Sequence, residues 1–241
     1  MANLLVDIGN TAVKAAWADG MTLGKSFRYQ GEKPVDFILS LIIKEKPDVL
    51  VISSVYEISR PDAERFSTEV TDILILDPAH PKTLLDNGFP THLTYDRAAS
   101  IMAARYLFNG RGCTVVDFGT TLTVDFTDSE GNYIGGNISL GCRTRIKALN
   151  RYSRALPRIN MPEEVGLVGN TLETSMASGV VSGIVFEMSG YFGLYPENVV
   201  VFTGGDANYF AKRIKNSTFV VCNLVLIGLA QIADRYVKKN A

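Results

Sequence analysis

The sequence predicts an α/β protein made of two similar halves, each opening with three strands and continuing as alternating helix and strand. Three observations predict it. A short phrase occurs twice, as Leu5-Val6-Asp7-Ile8-Gly9-Asn10-Thr11 and as Val115-Val116-Asp117-Phe118-Gly119-Thr120-Thr121, with its aspartate repeated 110 positions on. Each copy is followed by two strand-like runs joined by a turn signal. Gly24 in the third run of the first half is matched by Gly135-Gly136 in the second.

In the first half, Asn3 to Asp7 is a continuous apolar run and reads as a buried strand. Thr11 to Ala18 is rich in β-branched and aromatic residues, and Asp19-Gly20 marks a turn before a third strand, Thr22 to Arg28. Val35, Phe37, Ile38, Leu41 and Ile42 recur at helical spacing, predicting a helix over 34–45. A buried strand follows over 48–53, a helix over 61–70 and a short strand over 73–76. Residues 77–95 carry Pro, Gly, His, Thr and Asp without periodicity and read as a loop. A helix then runs from Asp96 to Leu107 and ends near Asn109-Gly110.

The second half restarts with strands at 113–117, 121–127 and 132–138 and a helix at 144–151. Residues 152–170 read as an irregular connection, 174–194 as a long helix with many small residues, and 199–202 as a buried strand. Thr203-Gly204-Gly205-Asp206 turns into a helix over 207–214. A short strand at 219–221 and a terminal helix at 224–236 complete the chain. The halves are drawn at residues 1–110 and 111–241.

Composition narrows the function. Of 241 residues 46% are hydrophobic and 20% charged, enough to supply a packed core, and the formal net charge is −1. No excess of Lys and Arg exists to neutralise nucleic-acid phosphates, so no nucleic-acid partner is expected. No run approaches the ~18 apolar residues of a membrane helix, so no membrane partner is expected either. No basic, apolar leader precedes the first strand, which gives a cytoplasmic expectation. Cys113, Cys142 and Cys222 lack metal-ligand spacing and read as reduced, buried thiols.

The chemistry lies in the turns. An aspartate at a strand end can hold Mg²⁺ or its water shell. The glycine lets backbone approach phosphate oxygens, and the following Asn or Thr and its neighbouring N–H groups can donate to them. One such phrase usually marks a hairpin, whereas two in equivalent places point to a nucleotide held between the halves. Thr203-Gly204-Gly205, between a buried strand and a helix, suits an adenosine contact. Asp96-Arg97 begins a helix, where the aspartate is either an ordinary cap or a base that takes a proton from a hydroxyl, with Arg97 on a substrate anion. Lys14 either reaches a phosphate or faces solvent. His80 and His92 read as surface residues. Arg143, Arg145 and Lys147 read as a solvated helix face, with an anionic ligand or a partner subunit as the alternative.

Taken in order, these residues resemble the actin, Hsp70 and sugar-kinase superfamily, and within it the type III pantothenate kinases. The resemblance rests on Asp7 through Lys14 as D-x-G-N-T-x-x-K and Asp117 through Asp125 as the second aspartate phrase. Gly135-Gly136-Asn137-Ile138 and Thr203 through Ala207 complete it. It implies a duplicated ribonuclease H-like, actin-like ATPase fold, two β-β-β-α-β-α-type halves with a cleft between them. It implies ATP-dependent phosphorylation of pantothenate by a homodimer, with the pantothenate site at the subunit interface. Asp96 falls on the family's base. Asn87, Thr94, Tyr95, Arg97 and Thr171, with Thr174 as the alternative to Thr171, fall on the substrate side. ATP contacts fall on Asp7, Ile8, Gly9, Asn10, Thr11, Ala12, Val13, Lys14, Thr120, Thr203, Gly204 and Gly205. Mg²⁺ falls near Asp7, directly or through water, and a monovalent cation, K⁺ or NH₄⁺, at Asp117. Asn87, Thr94 and Leu140 depart from the family pattern, where Tyr, Gly and Pro stand. They motivate two rival readings, a kinase for another small hydroxylated substrate and a nucleotide-binding accessory or regulatory protein without activity.

Overall fold

The computed structural model describes residues 2–240 and divides into two compact units, Met1–Leu107 with Asn223–Ala241, and Phe108–Cys222. The first unit contains β1 (Asn3–Ile8), β2 (Val13–Asp19), β3 (Thr22–Tyr29), β4 (Val49–Ser54) and β5 (Asp72–Leu76) in one sheet of order β3-β2-β1-β4-β5. β1 runs antiparallel to β2 and parallel to β4. Both β1 and β4 are buried along their whole length, as their continuous apolar runs require of strands covered on both faces. β3 is the sheet edge and largely exposed, and its Lys25 and Arg28 suit an unpaired edge.

Four helices of this unit come before the second repeat. α1 (Pro34–Lys44) starts on a proline and buries Ile38, Leu41 and Ile42 against the sheet. α2 (Arg60–Ser67) is capped by Ser59, whose hydroxyl accepts from Asp62 N at 3.3 Å. α3 (Lys82–Asp86) is a single turn inside the segment predicted as loop, too short to show a helical period. α4 (Tyr95–Leu107) buries nine of its thirteen residues, four of them alanine.

The second unit repeats the plan. β6 (Cys113–Phe118), β7 (Thr121–Thr127), β8 (Tyr133–Leu140), β9 (Val199–Thr203) and β10 (Thr218–Val220) form a sheet of order β10-β9-β6-β7-β8. The aspartate strand is again central, antiparallel to the following strand and parallel to the fourth. α5 (Cys142–Tyr152), α6 (Leu172–Leu194) and α7 (Ala207–Ala211) belong to it. α5 begins two residues before its expected start, and α7 ends three before its expected end. At the centre of the core Phe118 stacks on Phe210 and meets Phe202 edge-on, with ring centroids 4.7 and 4.8 Å apart.

The terminal helix α8 (Leu224–Asn240) is grouped with the first unit, whereas the sequence reading drew it with residues 111–241. Its apolar face, Leu226, Leu229, Ala230 and Ala233, is buried, and Gln231 Nε2 donates to Met102 O of α4 at 3.2 Å. The small residues of α4 allow this close approach, and Gly228 lies directly on Ala99. A Cβ on Gly228 would come 2.7 Å from Ala99 Cα and closer still to its carbonyl. Gly228→Ala should therefore destabilise the protein by about 1–3 kcal/mol despite alanine's better helix propensity. A thermal melt checks this, and an unchanged or raised midpoint would contradict it.

Candidate active site

The first turn is delivered by β1. Asp7 is 6% exposed, and its nearest strand neighbours are Lys14 on β2 and Ser53 on β4. Residues directly opposite in a sheet project to the same face, so Lys14 shares the side of Asp7 rather than an unrelated solvent face. Ser53 Oγ makes a long hydrogen bond to Asp7 Oδ1, 3.4 Å. Gly9 N donates to Ala12 O at 3.1 Å, closing a turn whose Asn10 and Thr11 are exposed. Ile8 and Val13 bury their side chains in the core, so their backbones are what they can offer a ligand.

The second turn is one residue shorter. Ile8 pairs with Val13 across four residues, while Phe118 pairs with Leu122 across three. Gly119 N donates to Thr121 O at 3.1 Å, and Thr120 is exposed at the tip. Asp117 is flanked by Thr123 on β7 and Thr203 on β9, both buried. The first aspartate thus faces an ammonium and a hydroxyl, and the second faces two hydroxyls. Carboxylate and hydroxyl oxygens together are hard donors that suit an alkali cation.

Thr203-Gly204-Gly205 folds onto this second turn. Gly204 has φ +92, and a Cβ there would overlap Asp117 Oδ1 and stand 2.7 Å from Phe118 N and C. Asp206 N donates to Phe118 O at 3.0 Å. Beside Gly205 and Asp206 lies a cavity of about 700 Å³, lined by Arg143, Asn160, Pro162, Asn208, Tyr209 and Arg213 among others. The guanidinium of Arg213 sits 3.5 Å from the Tyr209 ring centroid, and Tyr209 Oη donates to Pro162 O at 2.7 Å. Aromatic, amide and cationic groups around one hollow can receive a flat base and its sugar.

The acceptor-side candidates lie on and before α4. Thr94 O accepts Ala98 N at 3.0 Å and so begins the helix. Asp96 is partly buried in the first turn, where unpaired N–H groups favour negative charge, and its Oδ1 accepts Arg97 N at 2.9 Å. Arg97 is 8% exposed. Tyr95 is buried, its hydroxyl donates to His80 O, and burial pushes its pKa above the ordinary phenol value. Asn87 is spent on local structure: Nδ2 donates to Thr83 O at 2.8 Å, and Oδ1 accepts from Arg235 of α8 at 2.6 Å. In the second unit, Thr171 and Thr174 cap α6 reciprocally.

A family model for type III pantothenate kinase matches residues 3–193. The chain belongs to the type III pantothenate kinase family. A relative in Phocaeicola vulgatus named type III pantothenate kinase is 37% identical over 95% of this chain and 97% of its own. Two solved structures are similar in fold alone. They are the activator of the 2-hydroxyisocaproyl-CoA dehydratase from Clostridium difficile with bound ADPNP and the ROK hexokinase from Thermus thermophilus. The first has TM-score 0.62 at 14% identity, covering 100% of this chain and 97% of the other. The second has TM-score 0.54 at 10% identity, covering 99% and 100%. This pantothenate kinase family member therefore has the actin-like ATPase and sugar-kinase fold that its two equivalent sheets express.

Several expectations change in this family member. Arg143 is exposed, as a solvated face requires, yet its Nε pairs with Asp206 at 3.1 Å, whereas Arg145 is half-buried and its Nη2 pairs with Glu187 at 2.5 Å. Lys147 is exposed, as expected. His80 has an exposed ring, yet its Nδ1 is held at 2.7 Å by Asp77, a fully buried carboxylate that also accepts Ile58 N and Ala79 N. Sequence reasoning missed Asp77 because its partners lie on another strand's exit and in an aperiodic loop. Ser53 and Thr123 were equally hidden, since register alone reveals them. No group of three or more His, Cys, Asp or Glu among the described residues could hold a metal by itself.

Cys222 is exposed, contrary to the expectation that all three thiols are buried, because it ends the short edge strand region before α8. Cys142 is buried, and desolvation pushes its thiol up to about 11, which leaves almost no thiolate at neutral pH. A thiol reagent at pH 8 should modify one cysteine of the native chain quickly, and Cys222→Ser should abolish that fast phase. Rapid labelling of Cys113 or Cys142 would contradict the assignment.

Proposed function

We propose that Asp96 is the base in the reaction of this family, the ATP-dependent phosphorylation of pantothenate that opens coenzyme A synthesis. The primary hydroxyl oxygen bonds to the γ-phosphorus as the bond from that phosphorus to the β,γ-bridging oxygen breaks. The hydroxyl proton passes to Asp96, leaving ADP and 4'-phosphopantothenate. The match to the family across nearly the whole chain carries the reading. The position of Asp96 in the first turn of α4, with one carboxylate oxygen held by Arg97 N, supports its role.

In this reading the two glycine turns bind phosphate, Asn10, Thr11 and Lys14 from the first and Thr120 from the second. Phosphoryl transfer asks chiefly for such positioning and charge stabilisation. Thr203, Gly204 and Gly205 border the adenosine, and the cavity lined by Tyr209 and Arg213 receives it. Asp7 suits Mg²⁺ held directly or through water, and Asp117 with Thr123 and Thr203 suits K⁺ or NH₄⁺. These ions neutralise phosphate charge when bound. Arg97 serves the acceptor's carboxylate, and Thr94 and Tyr95 shape its surroundings through backbone and packing. Asn87 is better assigned to tethering α8, given its two hydrogen bonds. Thr171, or Thr174, keeps a substrate role only if the capping box of α6 exchanges one of its bonds.

A homodimer fits the second unit. Ile134, Ile138 and Leu140 of β8 and Phe186 of α6 are exposed, at 46%, 61%, 47% and 65%, as groups awaiting a partner surface would be. A cytoplasmic location fits the free thiols, and no helix among the described residues is long and apolar enough to cross a membrane.

Asp96→Asn should lower turnover by about 10²–10⁴ while nucleotide binding persists, measured by coupled ADP release and by calorimetry. Turnover within twofold of the wild type would remove Asp96 from the chemistry. The wild type should be faster in K⁺ than in Na⁺, and Thr123→Val should erase that difference. An undiminished K⁺ preference in Thr123→Val would place the cation elsewhere.

A further inference from the structure

The carbonyl of Thr120, at the tip of the second turn, is gripped from outside the repeated phrase. It accepts Gly141 N at 3.0 Å and Thr144 Oγ1 at 2.7 Å. Gly141 precedes α5 and is pressed on the turn so closely that a Cβ would stand 2.9 Å from Thr120 O and overlap the Gly119 carbonyl. The end of β8 is held in turn by Arg145. Its Nε donates to Leu140 O at 2.7 Å, and its Nη2 reaches Ser139 Oγ at 3.0 Å and Glu187 Oε2 at 2.5 Å. Ser139 Oγ donates to Glu187 Oε1 at 3.0 Å, closing a ring that joins β8, α5 and α6. Both side chains of the Arg145–Glu187 pair are 22% exposed, so water screens it less than a surface pair.

We infer that Thr144 and Arg145 are positioning residues that aim the second glycine turn at the nucleotide phosphates. The inference rests on the proposed role of Thr120 and its turn in ATP binding. A trans peptide unit is planar, with its C=O and N–H pointing opposite ways. Holding Thr120 O toward β8 and α5 therefore turns the N–H of Thr121 to the other side and fixes its direction. Both of the carbonyl's lone pairs are occupied, so the peptide cannot rotate without breaking two bonds. Arg145 acts one step further back. By fixing Leu140 O it fixes the strand end that presents Gly141 N. A turn preset in this way spends no binding energy on ordering itself.

The test is Thr144→Val, which keeps shape and removes the donor, beside Thr144→Ser, which keeps the donor. Titration calorimetry with ATP should show about tenfold weaker binding for Thr144→Val. KM for ATP should rise in step while KM for pantothenate stays within twofold, and Thr144→Ser should recover most of the loss. Arg145→Lys, which cannot reach Leu140 O, Ser139 and Glu187 together, should show the same ATP-selective defect and serves if Thr144→Val does not fold. Unchanged ATP affinity in both variants, equal losses for the two substrates, or a serine variant as weak as the valine would each overturn the inference. A wild type that binds ATP but does not phosphorylate pantothenate would instead sink the functional reading and leave the ATP titrations decisive for the brace. A wild type that does not bind ATP would overturn both.

Discussion

Gly204 has no room for a Cβ because Asp117 Oδ1 and the backbone of Phe118 already occupy that space, and its φ of +92 excludes most other residues independently. The second half of the site depends on this contact. β6 and β9 run parallel with Asp117 opposite Thr203, so both chains leave the sheet at the same edge and turn over one another. Asp206 N then closes on Phe118 O, and Arg143 neutralises the Asp206 carboxylate. The aspartate phrase and the Thr-Gly-Gly phrase lie far apart in sequence, yet they form one local structure. Neither turn could relax without displacing the carboxylate that lies between them.

The duplicated halves share strand order but not chemistry. In each, a buried central strand carries an aspartate to the sheet edge, and the backbone just past the parallel neighbour bonds back to it. Val55 N donates to Ile8 O in one unit, and Asp206 N donates to Phe118 O in the other. A one-residue difference in turn length then shifts the register. Asp7 faces Lys14, whereas Asp117 faces Thr123. Side-chain direction alternates along a strand, so a one-residue change decides which group stands beside the carboxylate. A lysine beside Asp7 adds positive charge where a triphosphate and its Mg²⁺ are proposed to meet. Threonines beside Asp117 add neutral oxygens where a weaker cation is proposed. The same fold thus supports two unlike electrostatic environments.

Legibility followed the length of the periodic signal. The buried strands 3–8, 49–54, 113–118 and 199–203 and the helices 34–44 and 95–107 were readable because their apolar runs are continuous or helical in period. The glycine turns were readable because backbone constraints restrict residue type. What escaped was long-range pairing between single side chains. Nothing in the chain near Asp77 announces that it will hold Ile58 N, Ala79 N and His80. Arg143 and Arg145 alternate with small residues as any solvated helix might, and only the approach of α6 and the Asp206 turn gives them partners. The terminal helix was legible as a helix, but its unit was not, because Gly228 against Ala99 is a match of two surfaces rather than a pattern in either.

The three departures from the family pattern have separate physical accounts. Asn87 ends α3 and ties Arg235 of α8 to the loop, a role in which an amide serves as acceptor and donor at once. Thr94 contributes its carbonyl to the start of α4, which any residue can do, so its identity is free of that constraint. Leu140 contributes its carbonyl to Arg145, and proline carries the same carbonyl, so the brace on the second turn tolerates either residue. The substitutions therefore fall at positions where backbone atoms or local tethers do the structural service. In the proposed reaction, recognition of the acceptor is left to Arg97 and Asp96, which stand together in the first turn of α4.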